Sequence, residues 1–512
     1  MSRIENTARN SVWQIAATLT STLAGVVGRI LFMKILGEQY LGISGLFASI
    51  IGVLSFADLG LGSAFTFCFY KPIAQNDIPH IQVLLSTFKK VIFFIAAFIA
   101  LAGLVVIPFL RTFVKGAENI DDLHLVVYYL ISLFGTVFSY WLMYKTCYIT
   151  ARQEAYRLTP FTMVGTLTAV MMQICALLLT QNYTVWALCA VAVTVCQQIG
   201  MNIYIIKKYP ETSFDCAASL AAEDKKSILD NIKGLLMHKF GGILVTQTDN
   251  IIVSSFISVS VTGLLSNYVL LRTMILNIIS TIQNSLVASM GDLMVRENKE
   301  VQLNVFCTYM MVNYWMLGFA MCGLGVLSTP FIALIFGATK ILDDWTILFS
   351  CMGFYFAYQT YALNLLPTAG GKFILGAWAA ALEGVSNLII SVAAVKFIGL
   401  PGVFLGTLAS QIINYAIRPF PIFKGMYGEK PWSYFKQTLA HFLSAMAPYI
   451  LLLYLRGIIF SSGYTVWGFL LLGVLTVAVF IASVILFWHK NKYFKEACNL
   501  FKKIVADRVV KK

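Results

Sequence analysis

The sequence predicts an all-α protein that crosses a membrane about fourteen times, and three observations support this. Hydrophobic residues make up 59% of the 512 residues and charged residues only 12%, whereas ordinary soluble domains carry about 25% charge. The mean hydropathy is +0.79. Apolar stretches long enough to cross a hydrocarbon core about 30 Å thick recur along the chain, from 11–36 to 464–488. A soluble core could not bury this much apolar surface.

The distribution of basic residues predicts that both termini are cytoplasmic. In that orientation most of the 37 lysines and arginines fall on inner segments, as the positive-inside rule requires. The first ten residues are polar and no small-residue cleavage site follows, so no removable signal peptide is expected. The net charge of +14 is explained by topology and by anionic lipid headgroups, not by a nucleic-acid partner.

Five segments are expected along the chain. They are an N-terminal six-helix bundle over 1–206, a cytoplasmic linker over 207–232, a second six-helix bundle over 233–424, two additional transmembrane helices over 425–489 and a basic cytoplasmic tail over 490–512.

A loose internal match suggests that the two bundles are copies of one unit. Gly42 follows Arg29 by thirteen residues, and Gly263 follows Asn250 by the same interval. Each glycine opens the helix after the one that carries the polar residue. Parallel repeats of this kind are a known plan of transporters, with the binding site between the halves.

Charged residues inside apolar spans are the candidate functional residues. Arg29, Asp58, Asp249, Arg272 and Glu383 each lie near the middle of such a span. A charge at that depth costs roughly 2.5–3.5 kcal/mol on insertion scales, so we expect each to face a bundle interior or a wet cavity. This pattern indicates a protein that moves something polar across the bilayer.

Depth along the helices predicts which cations and carboxylates meet. Asp249 and Arg272 lie about 12 and 14 Å below the outer ends of consecutive helices and are expected to form an ion pair, which could also serve only to fix helix register. Arg29, without an evident partner, occupies the position that Asn250 holds in the second half. Lys239 near an inner helix end either lines an inward-open cavity or reaches the headgroups.

Asp58 and Glu383 lie nearer the inner side, at a depth where no fixed cation is evident. Two interpretations stay open for them. Either one of them couples transport to a proton or sodium gradient, or each is a neutral carboxyl bonded to a neighbouring helix.

No cofactor, metal site or enzymatic activity is expected. The string at 370–373, Gly-Gly-Lys-Phe, lacks the hydroxyl residue of a phosphate-binding loop, and the ten cysteines include no Cys-x-x-Cys pair. A membrane-embedded glycan polymerase or acyltransferase would need a catalytic constellation or a large outer loop, and neither is visible. A secondary transporter is therefore favoured.

Three groups of strings resemble bacterial polysaccharide flippases. These are the O-antigen, capsule and exopolysaccharide exporters of the multidrug/oligosaccharidyl-lipid/polysaccharide superfamily. The strings are LGEQYLGISGLF at 36–47 with LSFADLG at 54–60 and YKP at 70–72, TDNII at 248–252 with SNY at 266–268, and EGVSNLIIS at 383–391 with GVFLGT at 402–407.

The resemblance implies two six-helix bundles in a V with two extra C-terminal helices, in the bacterial cytoplasmic membrane. Such proteins flip undecaprenyl-diphosphate-linked oligosaccharides to the outer leaflet by alternating access. Implied partners are that glycan, membrane lipids, H⁺ or Na⁺, and a polysaccharide polymerase complex. The sequence departs from the family at Asp58, where Glu is frequent, and at 366–373, where an arginine is missing.

In that interpretation Arg29, Arg272 and Lys239 neutralise the diphosphate, which arginine suits by its bidentate geometry. Asp249 and Asn250 share the cavity. A set of side-chain amides is expected to line the sugar path: Gln247, Asn267, Asn277, Gln283 and Asn284. Two other functions remain open, an ion-coupled drug or metabolite exporter of the same superfamily, typically with twelve spans, and a lipid II flippase.

Overall fold

The structure is a computed structural model that describes residues 13, 20–21, 24–58, 61–213, 240–372 and 374–510. Over this part the chain contains helices and no strand. Eleven of the described helices are long and apolar enough to cross a membrane. The predicted all-α, multi-pass architecture is confirmed, while the count of fourteen stays a prediction.

Contacts within the chain divide it into two compact units, Met1–Gly263 and Leu264–Lys512. The division into bundles over 1–206 and 233–424 also stays a prediction. The linker expected over 207–232 lies outside the described residues from 214 onward.

The first unit contains nine α-helices of more than four residues among its described residues. They are α1 (24–35), α2 (Gly37–Leu54), α3 (Leu61–Gln75), α4 (Ile78–Val106), α5 (Asp122–Ser139), α6 (Met143–Ala151), α7 (Thr159–Thr180), α8 (Tyr183–Lys208) and α9 (240–256). Aromatic side chains form contacts between these helices. The Phe65 and Phe88 rings stack with their centroids 4.0 Å apart, and the Phe47 and Tyr129 rings pack edge to face with centroids 5.3 Å apart. Such pairs stabilise helix contacts beyond their buried area.

The loop around Lys115 and Gly116 holds α9 against the rest of the first unit. The backbone N–H of Lys115 donates to Ser254 (3.2 Å), and the N–H of Val259 donates to the Lys115 carbonyl (2.9 Å). The Gln39 side chain donates to the Gly116 carbonyl at 2.8 Å. These bonds satisfy backbone groups in the turn after α9 and explain why that helix belongs to this unit.

The apolar span that carries Asp58 is not one continuous helix, because α2 ends at Leu54 and a 3-10 turn, Ser55–Asp58, follows before α3. The Ser55 hydroxyl donates to the Ile51 carbonyl (2.9 Å), a backbone bond that competes with regular helix. A Cβ on Gly62 would lie 2.8 Å from the Met143 terminal methyl. Asp58 therefore lies at a break in the helix and not within an uninterrupted span.

The second unit contains ten helices among its described residues, of which α10 begins within the first unit. They are α10 (Val259–Arg296), α11 (Lys299–Phe336), α12 (Asp344–Leu363), α13 (Leu365–Ala369), α14 (Ala377–Ile398), α15 (Leu400–Ile417), α16 (Pro419–Tyr427), α17 (Trp432–Ile459), α18 (Val466–Trp488) and α19 (Lys492–Val510). Helices α10 and α11 have 38 residues each, about 57 Å, so they extend beyond the bilayer core.

A chain of buried amides joins α10, α11 and α12. Gln283 donates to Asn313 (2.8 Å), and Asn313 donates to Gln359 (3.0 Å). All three side chains are buried. Interhelical bonds of this kind hold membrane helices together. Gln283, expected to line a sugar path, instead belongs to the interior of the second unit.

The last three helices pack on α11. A Cβ on Gly325 would lie 2.2 Å from the Tyr449 ring, so α17 approaches α11 closely there. At the start of α19, Glu496 accepts hydrogen bonds from Asn304 (3.1 Å) and Thr308 (2.6 Å). The basic tail therefore begins as a helix anchored on α11.

Candidate functional site

Arg272 lines a narrow cavity inside the second unit. The cavity has a volume of about 30 Å³ and its polar lining includes Arg272, Tyr268, Ser328 and Thr346. Such a volume holds one or two water molecules. Arg272 is half-buried, and within its own unit it makes no hydrogen bond or ion pair with a residue that the structure describes.

Tyr268 and Ser328 are two of the hydroxyl-bearing residues that line this cavity. The Tyr268 hydroxyl accepts a hydrogen bond from the Leu342 backbone N–H at 3.0 Å. Ser328 is 5% exposed, and its hydroxyl has no hydrogen-bond partner among the described residues. A guanidinium and a hydroxyl with unused hydrogen-bonding capacity suit water or an anionic group.

In the first unit, Arg29 on α1 and Asp249 on α9 are both half-buried. Each is engaged with other groups of the chain, so Arg29 is not the unpartnered cation that the sequence indicated. The ion pair predicted between Asp249 and Arg272 would join the two units and stays a prediction.

Asn250 ties α9 to α2. Its side-chain amide donates to the Ser49 hydroxyl at 2.9 Å. One turn away, a Cβ on Gly52 would lie 2.8 Å from the Gln247 amide carbon. The polar edge of α9 therefore lies against α2. Lys239 and the side chain of Asp58 lie outside the described residues.

Glu383 lies in a buried polar cluster between α14 and α15. Its carboxylate accepts hydrogen bonds from the side chains of Asn414 and Gln411, and it interacts electrostatically with Arg418. Arg418 is only 5% exposed. The expectation that no fixed cation accompanies Glu383 is wrong, because a buried guanidinium is adjacent.

The sequence did not reveal Arg418, because it stands at the end of an apolar span and counts as an inner-loop residue. One signal was available in the sequence: Arg418 follows Asn414 by four residues, so both project from one polar helix face.

The same face continues as a ladder of polar contacts between α14 and α15. Asn387 donates to the Thr407 hydroxyl (3.0 Å), and the Ser391 hydroxyl donates to the Val403 carbonyl (3.0 Å). A Cβ on Gly406 would lie 2.5 Å from the Ser391 nitrogen. The segments 383–391 and 402–407 therefore pack against each other, and the polar residues that make the contacts on α14 are four positions apart.

Lys145 is a second buried cation that the sequence did not single out. It lies on α6, is 4% exposed, and its ammonium donates to the Asn202 side-chain oxygen on α8 at 2.7 Å. Its position in the last turns of an expected span made it look like an ordinary inner-end lysine.

A cluster of charged and tyrosine side chains, here called the charged clamp, lies where α6, α7 and α8 end or begin: Arg152, Glu154, Arg157, Tyr209 and Glu211. Arg152 pairs with Glu211 at 3.2 Å, and Arg157 pairs with Glu154 at 2.6 Å. The Tyr209 hydroxyl donates to Glu154 at 2.5 Å. Burial, together with this bond, raises the pKa of Tyr209 above its ordinary value. The clamp fixes the loop between α6 and α7 against the segment that follows α8.

No family model and no curated protein matches the sequence. Solved structures do match the fold. An inward closed structure of the lipid II flippase MurJ matches with a TM-score of 0.66 and 14% identity, over 93% of this chain and 99% of that one.

Two transporters of the MATE family also match. An inward-facing multidrug resistance transporter of the MOP superfamily has a TM-score of 0.60 and 13% identity over 80% of this chain and 96% of its own. One from Vibrio cholerae has a TM-score of 0.56 and 16% identity over 83% of this chain and 99% of its own. The chain has a MOP-like fold. At these identities the likeness establishes the fold alone.

Proposed function

We propose that this protein is a flippase for undecaprenyl-diphosphate-linked oligosaccharide repeat units. It would move them from the cytoplasmic to the outer leaflet of the bacterial cytoplasmic membrane by alternating access of two bundles, for surface polysaccharide synthesis. A polysaccharide polymerase complex would receive the product.

The extent of the fold match supports a lipid-linked cargo over a drug. The MurJ structure covers 93% of this chain, and the two MATE structures cover 80% and 83%. This difference is about the size of α17 and α18, which have 28 and 23 residues. MurJ is a lipid II flippase, and lipid II is itself a lipid-linked cargo.

The proposal rests on the position and the hydrogen bonding of Arg272. Its guanidinium lies in a membrane-spanning helix, beside a water-sized cavity, without a hydrogen bond to the described part of its own unit. A cation at the depth of a hydrocarbon core needs a counter-charge or water. A diphosphate passing this position would supply two phosphates for bidentate hydrogen bonds.

The coupling ion belongs to the same proposal, with Glu383 and Asp58 as its candidate sites. For Glu383, protonation or cation binding would compete with Arg418, since both act on one carboxylate. If Asp58→Asn and Glu383→Gln variants both transport at the wild-type rate with an unchanged pH profile, this part of the proposal is overturned.

Conditional depletion of the protein tests the cargo. We expect lipid-linked repeat units to accumulate on the cytoplasmic face, protected from a glycosidase added outside intact spheroplasts. Repeat units that still reach the outer leaflet, in cells without a second exporter, would overturn the proposal.

Complementation of depleted cells then tests Arg272. Arg272→Gln should fail and Arg272→Lys should restore part of the flux, because lysine keeps the charge but not the bidentate geometry. Arg296→Gln is the matched control, since Arg296 lies on the same helix and its side chain is 74% exposed in a surface ion pair.

The two other candidate functions predict different outcomes. A drug exporter would lower the accumulation of cationic dyes in intact cells and leave lipid-linked glycans untouched. A lipid II flippase would sustain growth when the resident lipid II flippase is depleted, and a repeat-unit flippase would not.

A further inference from the structure

A hollow of about 520 Å³ lies between α7 and α8 in the first unit. Small residues create it. Gly165, Ala192 and Gly200 all line the hollow, and a Cβ on Gly200 would meet no atom within 4 Å. A Cβ on Gly165 would lie 1.9 Å from the Gln197 side-chain oxygen. The two helices thus touch at Gly165 and leave space beside Gly200.

The hollow is apolar and faces the bilayer. Both helices are long and apolar enough to cross a membrane. Val164 and Met172 line the hollow and are 63% and 41% exposed. A hydrophobic recess on a membrane-spanning surface is filled by hydrocarbon, because water there would lose its hydrogen bonds.

The length of the hollow matches one leaflet. Its lining on α7 runs from Pro160 to Met172, twelve residues or about 18 Å. Half of a hydrocarbon core is about 15 Å thick. Pro160 is the second residue of α7, so the hollow starts at one membrane face and ends near the midplane. An acyl chain of one leaflet has this reach, whereas a long prenyl chain would continue beyond it.

Basic side chains surround the starting end. The Phe161 ring in the hollow contacts the Tyr204 ring at 5.3 Å, which places the end of α8 beside the opening. Lys207 and Lys208 follow there, both exposed, and neither forms an ion pair with a residue that the structure describes. Arg157 is already neutralised by Glu154. Lys207 and Lys208 can therefore bind an anionic headgroup.

We propose that the hollow holds one acyl chain of an anionic phospholipid from the cytoplasmic leaflet, with Lys207 and Lys208 on its phosphate. The site is distinct from the Arg272 cavity and would exist whatever cargo the protein moves. Its lipid would fill the space between α7 and α8 and keep the two helices packed.

Native mass spectrometry of the purified, delipidated full-length protein tests this. Phosphatidylglycerol and phosphatidylcholine with identical acyl chains are titrated separately. We expect one tightly held phosphatidylglycerol at a concentration at least about tenfold below that for phosphatidylcholine, since each lysine near a surface contributes about 1 kcal/mol. Equal binding of the two lipids would overturn the proposal.

Two variants separate the hollow from the headgroup site. Gly200→Leu fills the hollow and should abolish tight binding, while Gly473→Leu, at another helical glycine with nothing within 4 Å, should retain it. Lys207→Gln with Lys208→Gln should remove the preference for phosphatidylglycerol. Lys424→Gln with Lys430→Gln, which removes two exposed lysines of the second unit, should not.

Further outcomes decide the identity of the occupant. Should Gly200→Leu fail to fold, as judged by gel filtration, Val164→Trp fills the same space from an exposed position. Tight phosphatidylglycerol binding that survives a folded filling variant would overturn the proposal. So would undecaprenyl phosphate that displaces phosphatidylglycerol from the wild-type protein at equal concentration, because a prenyl carrier would then be the occupant.

Discussion

Gly42 and Gly263 contact each other reciprocally where α2 meets the start of α10. A Cβ on Gly42 would lie 3.0 Å from the Gly263 nitrogen, and a Cβ on Gly263 would lie 3.1 Å from the Gly42 nitrogen. The Cβ on Gly42 would also lie 1.7 Å from the carbonyl oxygen of Val259, four residues before Gly263. The Cβ on Gly263 would lie 2.0 Å from the carbonyl oxygen of Glu38, four residues before Gly42. A two-fold relation between two equivalent segments produces this kind of reciprocity.

These glycines are the equivalent positions of the internal sequence match, where they follow Arg29 and Asn250 at the same interval. Their mutual contact gives the match a physical reason, because both backbones can approach this closely only if neither position carries a side chain. The hypothesis that the chain contains two copies of one helical unit stays a prediction.

Alanine at Gly42 or at Gly263 should therefore destabilise the protein. Backbone carbonyls occupy the space for a Cβ, so the helices must move apart, and we expect a loss of about 1–3 kcal/mol for each variant. Unfolding of the purified protein, followed by circular dichroism in a denaturant series, measures it. The double variant should lose less than the two losses combined, because both act on one contact.

Gly45→Ala on the same helix is the control for this prediction. A Cβ there would meet nothing within 4 Å, so the change should be neutral or stabilise by up to about 1 kcal/mol through helix propensity. Equal effects at Gly42 and Gly45 would contradict the close contact.

The sequence predicted features that depend on one helix at a time. Length and apolar composition indicated the spans, and polar residues at 383, 387 and 391 stand at four-residue spacing, which places them on one face of α14. The break before Asp58 was missed because a serine and two nearby glycines are tolerated in membrane helices, and only packing of α3 on α6 decides that the chain turns there.

Partners across helices could not be predicted for the same reason. Depth along a helix can be counted from the sequence, but the neighbour that a side chain faces depends on packing. Lys145 and Arg418 were missed because Asn202 and Glu383, which contact them, lie on other helices. The pairing of Asp249 with Arg272 was predicted only from their similar depth along consecutive helices. The sequence did not indicate that the two residues belong to different compact units.

Removal of one partner from the Glu383 cluster should be costly. Glu383→Gln leaves the buried Arg418 guanidinium without its carboxylate, and Arg418→Gln leaves the carboxylate without its cation. We expect each to cost about 3 kcal/mol, and the double variant to recover much of it, since replacing both charges removes the uncompensated one. Thermal unfolding in detergent measures this. A double variant as unstable as the two singles combined would show that the charges do not act as a pair.

His441 is buried among aromatic rings, and its ring nitrogens should not be required for the stability of the protein. The ring is 0% exposed, lies parallel to Tyr314 at 4.6 Å and meets Trp488 edge-on at 4.6 Å. Neither nitrogen has a hydrogen-bond partner among the described residues. We therefore expect His441→Phe to keep or raise the melting temperature and His441→Ala to cost about 3 kcal/mol through a cavity. A phenylalanine variant as unstable as the alanine variant would reveal a polar role for the imidazole.

The charged clamp of the first unit should contribute more to stability than an exposed ion pair. Glu154 is 17% exposed and accepts from Tyr209 while it pairs with Arg157. Glu154→Gln should therefore cost about 1–3 kcal/mol, because partly buried donors lose a charged acceptor.

Asp292→Asn is the matched control for the clamp. Asp292 pairs with Arg296 at the same 2.6–2.7 Å distance, but the two side chains are 61% and 74% exposed. A pair in contact with water contributes about 0–1 kcal/mol and is screened by salt. Denaturant unfolding at low and high salt should thus show a larger and less salt-sensitive loss for Glu154→Gln. Equal, salt-sensitive losses would mean that the clamp is open to solvent.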